Sequence, residues 1–207
     1  MRFVVEGDGS AYTTVEGEEM LMEPGDLVLT PNWTWHDHFN PGKSNIVWLD
    51  VLDSHLTRYL DAGFEENYGE GPAQAIVKRD GYSKYSYGAI RPRTKNAGTA
   101  ALPYNYKWRD TLRALQESAA SGLLDPHDGV LLEYAHPLTG GPTMPTIGCW
   151  VQMLAPGEIT RPHRHTSSTI YQVVQGAGTT IVGSTQGAGK ELAWRSQDCI
   201  FVPSWDW

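Results

Sequence analysis

The chain has 207 residues and a formal charge of −8, with 40% hydrophobic and 19% charged residues. This ordinary globular composition argues against disorder, and the lack of a Lys/Arg run argues against a nucleic-acid partner. The first residues have no basic start followed by an apolar run, and no stretch is apolar enough for a membrane helix, so we expect neither a signal peptide nor a membrane anchor. Cys149 and Cys199 match no metal or redox spacing. We therefore expect both to be reduced and buried in a cytoplasmic protein.

Short strands separated by Gly and Pro turns are predicted in the first fifty residues. They fall at residues 2–6, 12–15, 27–30 and 46–51. Glu23-Pro24-Gly25-Asp26 is typical of a tight turn before the third of them. This spacing indicates an all-β sandwich or barrel.

The middle of the chain has a different pattern. Residues 54–59 predict the start of a short helix, and residues 64–104 predict an irregular connection rich in Gly, Pro and Tyr. Apolar side chains recur at helical spacing over 107–120, which predicts an amphipathic helix that stops near Gly122. Strands are predicted again near Val130 and at 150–154, 170–175 and 199–202.

An internal repeat organises the sequence. Residues 2–9 (RFVVEGDG) align with residues 171–178 (YQVVQGAG), and residues 25–35 align with residues 197–207. Two blocks in the same order, at offsets of 169 and 172, indicate one structural unit used twice. We refer to them as copy one and copy two.

Histidines flank the two copies unequally. His36 follows the second block of copy one, whereas the sequence of copy two stops at Trp207, before the matching position. His163 and His165 precede copy two, and their equivalents in copy one would lie before Met1. We therefore expect an incomplete gene product with an internal methionine at its start. The predicted parts are a first barrel without its first motif at 1–53, an irregular and helical connection at 54–129, and a second barrel without its last motif at 130–207.

Taken together, the two copies give the spacing of a metal site. Gly157 with His163 and His165, and Gly25 with His36, resemble the two sequence motifs of cupins. Residues two apart on a strand face the same way, so a His-x-His pair and a third His can hold one ion and leave positions open. Neutral imidazoles suit iron, copper, nickel or zinc. The common motif has a Glu where this chain has Thr169, which favours three histidines over a mixed set. The plainer alternative is that these histidines are packed or exposed without a metal.

Residues 2–18, 22–38 and 162–168 resemble the gentisate 1,2-dioxygenase group, whose pattern salicylate and 1-hydroxy-2-naphthoate dioxygenases share. The resemblance implies two double-stranded β-helix (cupin, jelly-roll) barrels in tandem. It also implies Fe(II) held by three histidines of the first barrel, of which His36 is present here. The expected reaction is ring cleavage of a small aromatic carboxylate by O2, giving maleylpyruvate from gentisate. A homotetramer or dimer is expected from the same family.

The resemblance also assigns roles around the metal. Arg2 would pair with the substrate carboxylate, His38 would assist proton transfer or orient oxygen, and Asp50 would line the pocket. Arg2 as a barrel-rim charge and Asp50 as a strand-end cap are the alternatives. Tyr171 stands in copy two where Arg2 stands in copy one, so we expect the second barrel, with His163 and His165, to be structural or vestigial.

Three functions remain open from the sequence. The first is a ring-cleaving dioxygenase, the second a cupin isomerase or similar metalloenzyme, and the third a non-catalytic cupin remnant. Copy one offers one metal ligand and copy two offers two, so neither three-histidine set is complete. We therefore expect this chain alone to be inactive and a longer protein that contains it to be active.

Overall fold

The computed structural model describes residues 1–69, 71, 73–88, 90 and 102–207. Its elements, in chain order, are β1 (Arg2–Glu6), β2 (Tyr12–Val15), β3 (Glu18–Leu21), β4 (Leu27–Leu29), β5 (His36–Phe39), β6 (Val47–Asp50), α1 (Ser54–Tyr59), α2 (Tyr82–Tyr87), β7 (Tyr104–Tyr106), α3 (Trp108–Ala120), β8 (Val130–Glu133), β9 (Trp150–Met153), β10 (Thr169–Gln172), β11 (Ala177–Thr185), β12 (Ala188–Arg195) and β13 (Cys199–Val202). Antiparallel strands dominate, which confirms the prediction of an all-β fold with few helices. Within the described ranges, no helix is long and apolar enough to span a bilayer.

The chain forms two compact units. Unit 1 comprises Met1–Thr111 and Glu133–Trp150, and unit 2 comprises Leu112–Leu132 and Val151–Trp207. Unit 1 contains a four-stranded sheet in the order β6-β1-β4-β7 and a three-stranded sheet in the order β3-β2-β5. Unit 2 contains the pairs β10-β13 and β11-β12. The three-part division made from the sequence stays a prediction.

The core of unit 1 lies along β1 and β4. Strand β1 alternates, with Arg2 and Val4 buried and Phe3 and Val5 partly buried, whereas all three residues of β4 are buried. The central cluster consists of Val4, Ala11, Val15, Met20, Met22 and Val28, with Ile46 and Trp48 packed against it. Val4 of this cluster lies on β1 with Arg2, and Trp48 lies on β6 with Asp50, so the strands that carry the candidate site also contribute to the core.

The predicted amphipathic helix is confirmed. It begins at Trp108, one residue later than predicted. Helix α3 turns one face inward, and Leu115 on that face is 1% exposed. Its first N–H, that of Trp108, donates to Asp26 Oδ1 at 2.8 Å, so a carboxylate from a distant turn satisfies an end of the helix. Gly122 takes φ +78° after the last turn, as a helix stop in the left-handed region requires.

The repeat is confirmed in the strand register. Strand β1 pairs with β4, and β10 pairs with β13, at the same positions of the aligned sequences. The corresponding partners are Arg2↔Val28 and Phe3↔Leu27 in copy one, and Tyr171↔Ile200 and Gln172↔Cys199 in copy two.

The turn that precedes β4 and β13 is also repeated, atom for atom. Val4 N–H donates to Asp26 O at 3.0 Å, and Val173 N–H donates to Asp198 O at 2.9 Å. The residue before each aspartate has positive φ, +90° at Gly25 and +76° at Gln197. Identical hydrogen bonds at aligned residues show that the sequence repeat is a structural repeat.

Several elements were not predicted. Strands β3, β5, β7, β11 and β12 and helix α2 were missed, because charged, histidine-rich or glycine-rich stretches obscure the two-residue alternation. The expectation for Cys199 was wrong. Although both cysteines are free, only Cys149 is buried, because Cys199 alternates along β13 with the buried Ile200. Part of the expected irregular connection, residues 91–101, lies outside the described residues.

Candidate substrate-binding site

Two cross-strand pairs from different sheets build the candidate site. Arg2 on β1 lies directly opposite Asp50 on β6. Thr13 on β2 lies directly opposite His38 on β5. The two pairs meet side chain to side chain, so the structure brings together all three residues predicted from the sequence for the substrate pocket.

Arg2 is the centre of this arrangement and is 4% exposed. Its Nε donates to Asp50 Oδ1 at 3.0 Å. Its Nη1 lies 3.3 Å from Thr13 Oγ1 and 3.0 Å from both ring nitrogens of His38. The guanidinium carbon also lies 5.4 Å from the ring centre of Trp48. These partners hold the buried guanidinium in one orientation. An arginine that only placed a charge on the barrel rim would not need to be fixed in this way.

The electrostatics keep His38 neutral. Partial desolvation of the ring, which still has a solvent-exposed side, and then the charge of Arg2, lower the pKa of His38 from 6.5 to about 4. An arginine only donates, so it can hydrogen-bond only to the ring nitrogen of neutral His38 that carries no proton. Thr13 Oγ1 lies 3.0 Å from Nδ1 of the same ring. At neutral pH, therefore, His38 presents a neutral, oriented imidazole.

Asp50 is held ionised by Arg2. Partial burial alone would raise its pKa, but the hydrogen bond and the charge of Arg2 outweigh burial, and the pKa of Asp50 is lowered. Trp48 Nε1 donates to the other carboxylate oxygen at 3.1 Å. Asp50 thus orients both Arg2 and the indole that packs against His38 at 5.2 Å between ring centres.

His36 shares a face of β5 with His38, and their ring centres are 5.6 Å apart. Burial, and then the charge of Arg2, lower the pKa of His36, so its imidazole is available as a neutral ligand. Among the described residues, however, no three His, Cys, Asp or Glu side chains are arranged to hold a metal. The residues of unit 1 do not complete a three-histidine set.

In unit 2, His163 and His165 lie with ring centres 5.9 Å apart, as the two-residue spacing predicts. No strand is assigned to the segment that carries them, although the two-residue argument placed the pair on a strand. Between them, Arg164 stacks on Trp205 and Trp207, at 4.2 and 4.5 Å from the ring centres.

His127, which matches none of the sequence motifs, lies in the same place. The ring centre of His127 is 5.6 Å from that of His163, and the neighbouring Asp128 approaches the same imidazole. No spacing rule links residues 127 and 163. The two residues are close only because their segments of the chain pair in the folded structure, which no sequence pattern predicts.

Similarity to known protein families and solved structures identifies the fold class of this chain. A cupin domain model matches residues 1–52, and an auxin binding protein model matches residues 136–203. The structure resembles salicylate 1,2-dioxygenase from Pseudaminobacter salicylatoxidans with a TM-score of 0.77 and 29% identity, covering 99% of this chain and 59% of that one. The fold is therefore that of the two-barrel cupins.

Relatives with similar sequences indicate a more specific group within this fold class. The chain is 40% identical to 5-aminosalicylate 1,2-dioxygenase of Comamonas sp, over 96% of this chain and 52% of that protein. It is 38% identical to 1-hydroxy-2-naphthoate 1,2-dioxygenase of Nocardioides sp. strain KP7, over 99% and 51% respectively. It is 36% identical to gentisate 1,2-dioxygenase 1 of Aquipseudomonas alcaligenes, over 99% and 58%. Over nearly its whole length the chain is similar to dioxygenases of the gentisate 1,2-dioxygenase group, and it spans somewhat more than half the length of these relatives.

Proposed function

We propose that this chain forms the substrate-carboxylate pocket of an Fe(II)-dependent dioxygenase that cleaves the ring of gentisate or a related hydroxybenzoate with O2. From gentisate the product would be maleylpyruvate. The observation that carries the proposal is the buried guanidinium of Arg2, fixed by Asp50 and Thr13 beside a neutral His38. The relatives, which are named for ring-cleaving activity on gentisate, 5-aminosalicylate and hydroxynaphthoate, support it.

Arg2 would bind the carboxylate of the substrate. A guanidinium has five N–H donors. Asp50 occupies Nε, and Thr13 and His38 contact Nη1, so a carboxylate would approach Nη2. Burial strengthens this attraction because little water competes for the charge. Asp50 would keep the guanidinium plane in place while the substrate exchanges.

His38 would orient the substrate or oxygen rather than store a proton. With a pKa of about 4, its imidazole is a weak base and a good hydrogen-bond acceptor at neutral pH. The charge of Arg2 is one cause of this low pKa. A bound carboxylate would neutralise that charge and raise the pKa of His38, so proton acceptance would become easier only when the substrate is present.

Iron is the metal that we propose for the whole protein, with His36 as the ligand from copy one. When bound, iron would supply the chemistry of O2 activation. His163 and His165 remain predicted ligands of a structural or vestigial second site. The homo-oligomeric state and the cytoplasmic location stay predictions from the sequence.

The first test is the binding of salicylate to this chain by isothermal titration. We expect the Arg2→Met variant to weaken binding at least tenfold, because the charge is lost. Arg2→Lys should have a smaller effect, because it keeps a point charge without the planar fork. Tyr171→Phe, at the matching position of copy two, is the control and should bind as the unaltered chain does. Equal affinity in the unaltered and Arg2→Met chains would contradict the carboxylate pocket.

Oxygen uptake separates the alternatives. With Fe(II) and gentisate added, we expect the chain to bind ligand but not to consume oxygen, because its three-histidine set is incomplete. Stoichiometric iron with gentisate turnover would contradict that expectation. Turnover without oxygen uptake would favour an isomerase, and neither binding nor turnover would favour a non-catalytic cupin.

A further inference from the structure

Thr13 lies at the centre of the candidate site, although the sequence assigned it no role. It is 0% exposed, and on β2 it stands directly opposite His38 of β5. Its Oγ1 lies 3.0 Å from His38 Nδ1, 3.3 Å from Arg2 Nη1 and 3.3 Å from Met22 Sδ. Thr13 therefore joins the two residues that we propose to face the substrate to a methionine of the unit 1 core.

The hydroxyl of Thr13 has one proton to donate and two lone pairs that accept. Arg2 can only donate, so one of these lone pairs receives the N–H of Arg2 Nη1. The hydroxyl proton then points either to His38 Nδ1 or to Met22 Sδ, its two other hydrogen-bonding contacts. The direction of this single proton decides which nitrogen of the neutral His38 ring carries a proton.

The contact between Arg2 and His38 favours one of these two directions. Nη1 of Arg2 lies 3.0 Å from Nδ1 and also 3.0 Å from Nε2. If the hydroxyl proton pointed to Nδ1, Thr13 and Arg2 would compete for the single lone pair of that nitrogen, and Nε2 would accept nothing from either. If the hydroxyl proton points to the sulfur of Met22, Nδ1–H donates to Thr13 and Nε2 accepts from Arg2. Although sulfur is a weak acceptor, this second arrangement gives each of these donors its own acceptor.

We propose that Thr13 is a positioning residue that holds the proton of His38 on Nδ1 and so keeps the lone pair of Nε2 on the side of Arg2. The role rests on the proposed function, in which Arg2 binds the substrate carboxylate and His38 orients the substrate or oxygen. Because Thr13 is fully buried, it acts through these two residues and not on the substrate itself. Its β-branched side chain has a restricted χ1, which fixes the position of the hydroxyl.

The first readout is the ¹⁵N spectrum of the His38 ring in the metal-free 207-residue chain at pH 7, with no ligand added. Ring nitrogens with and without a proton differ widely in ¹⁵N shift, and a His38→Gln variant identifies the signals. We expect the proton on Nδ1 in the unaltered chain and in Thr13→Ser, which keeps the hydroxyl. Thr13→Val replaces the hydroxyl with a methyl group and should give a mixture of both tautomers.

The second readout is the affinity for salicylate, measured by isothermal titration. Thr13→Val should weaken binding about three- to tenfold, the effect of one lost hydrogen bond, and Thr13→Ser should restore it. Thr14→Val is the matched control, because Thr14 is also buried on β2 but its side chain lies on the opposite face of the strand. It should bind as the unaltered chain does. Circular dichroism checks that each variant is folded.

The outcomes separate this role from the carboxylate pocket itself. A proton on Nε2 in the unaltered chain overturns the proposal, even if Thr13→Val does not fold. If the unaltered chain binds salicylate and Thr13→Val binds it equally well with an unchanged spectrum, the role of Thr13 is overturned and the pocket stands. If the unaltered chain binds no salicylate, the proposed function fails and the role of Thr13 in orienting a substrate fails with it.

Discussion

The repeated turns of copy one and copy two have the same backbone hydrogen bonds but different surroundings. Asp26 and Asp198 occupy equivalent turns, and the N–H of the residue three positions earlier donates to each carboxylate, at 3.1 and 2.9 Å. Asp26 is fully buried and also receives Trp108 N–H and Lys107 Nζ, at 2.8 and 3.1 Å. Asp198 is only half-buried. The turn is therefore encoded locally, whereas its burial depends on another segment of the chain.

The same contrast governs function. Arg2 and Tyr171 have the same register against β4 and β13, yet only Arg2 meets a carboxylate and a histidine from neighbouring strands. Unit 2 instead gathers histidines around a turn outside the repeat. The duplicated scaffold therefore places a buried guanidinium in copy one where copy two has a tyrosine.

The largest expected difference between the copies is at the two aspartates. Asp26→Ala should lower the free energy of unfolding by about 3–5 kcal/mol, because it leaves the ammonium of Lys107 buried without its nearest carboxylate. Asp198→Ala should cost only about 1 kcal/mol, the value of one turn hydrogen bond. Urea denaturation of both variants measures the difference. Equal costs would mean that burial of Asp26 adds nothing to the shared turn.

A smaller difference is expected at the residues that precede these aspartates. Gly25 and Gln197 both have positive φ, but a Cβ added at Gly25 would lie 2.6 Å from Trp108 Cγ. Gly25→Ala should therefore cost about 2 kcal/mol or more, through strain and the displaced indole. Gln197→Gly should stabilise unit 2 by about 0.5–1 kcal/mol, because glycine adopts this φ without strain. A destabilised Gln197→Gly variant would contradict this reading of the repeated turn.

A third expected effect, smaller than that at Asp26, depends on pH. Glu18, at the start of β3, is 2% exposed, and burial raises its pKa although Ser83 N–H and Oγ donate to it. The raised pKa means that ionised Glu18 lowers stability above its folded pKa, and that this penalty disappears as the pH falls toward 4.5. Glu18→Gln should then stabilise unit 1 at pH 8 by on the order of 1 kcal/mol, and not at pH 4.

The control for this effect is Glu191→Gln, on the exposed strand β12 of copy two. Its thermal midpoint should follow that of the unaltered chain at both pH values. If Glu18→Gln were destabilising at pH 8, the hydrogen bonds of Ser83 to the carboxylate would outweigh its desolvation. Midpoints measured between pH 4 and pH 8 distinguish the two cases.

Local sequence patterns were enough to predict part of this fold. The repeat, helix α3 with its Gly122 stop, and the strands at residues 2–6 and 12–15 follow from alternation, helical spacing and turn residues. The grouping of Arg2, His38 and Asp50 was predicted only through the family resemblance, because their strands are far apart in sequence. Strands β11 and β12 were missed, since runs of Gly, Ala and Thr carry little hydrophobic contrast.

By itself, the sequence determined the duplicated turn and register, because positive-φ residues and alternating side chains act over a few neighbouring positions. Only the tertiary structure decided that Lys107 and Trp108 enclose Asp26, that Thr13 lies beside His38, and that His127 lies beside His163. These contacts join residues 25 to 82 positions apart, and they depend on which strands and turns pack together. Burial and electrostatic coupling arise from that packing, so the charge states of the site belong to the fold and not to any motif.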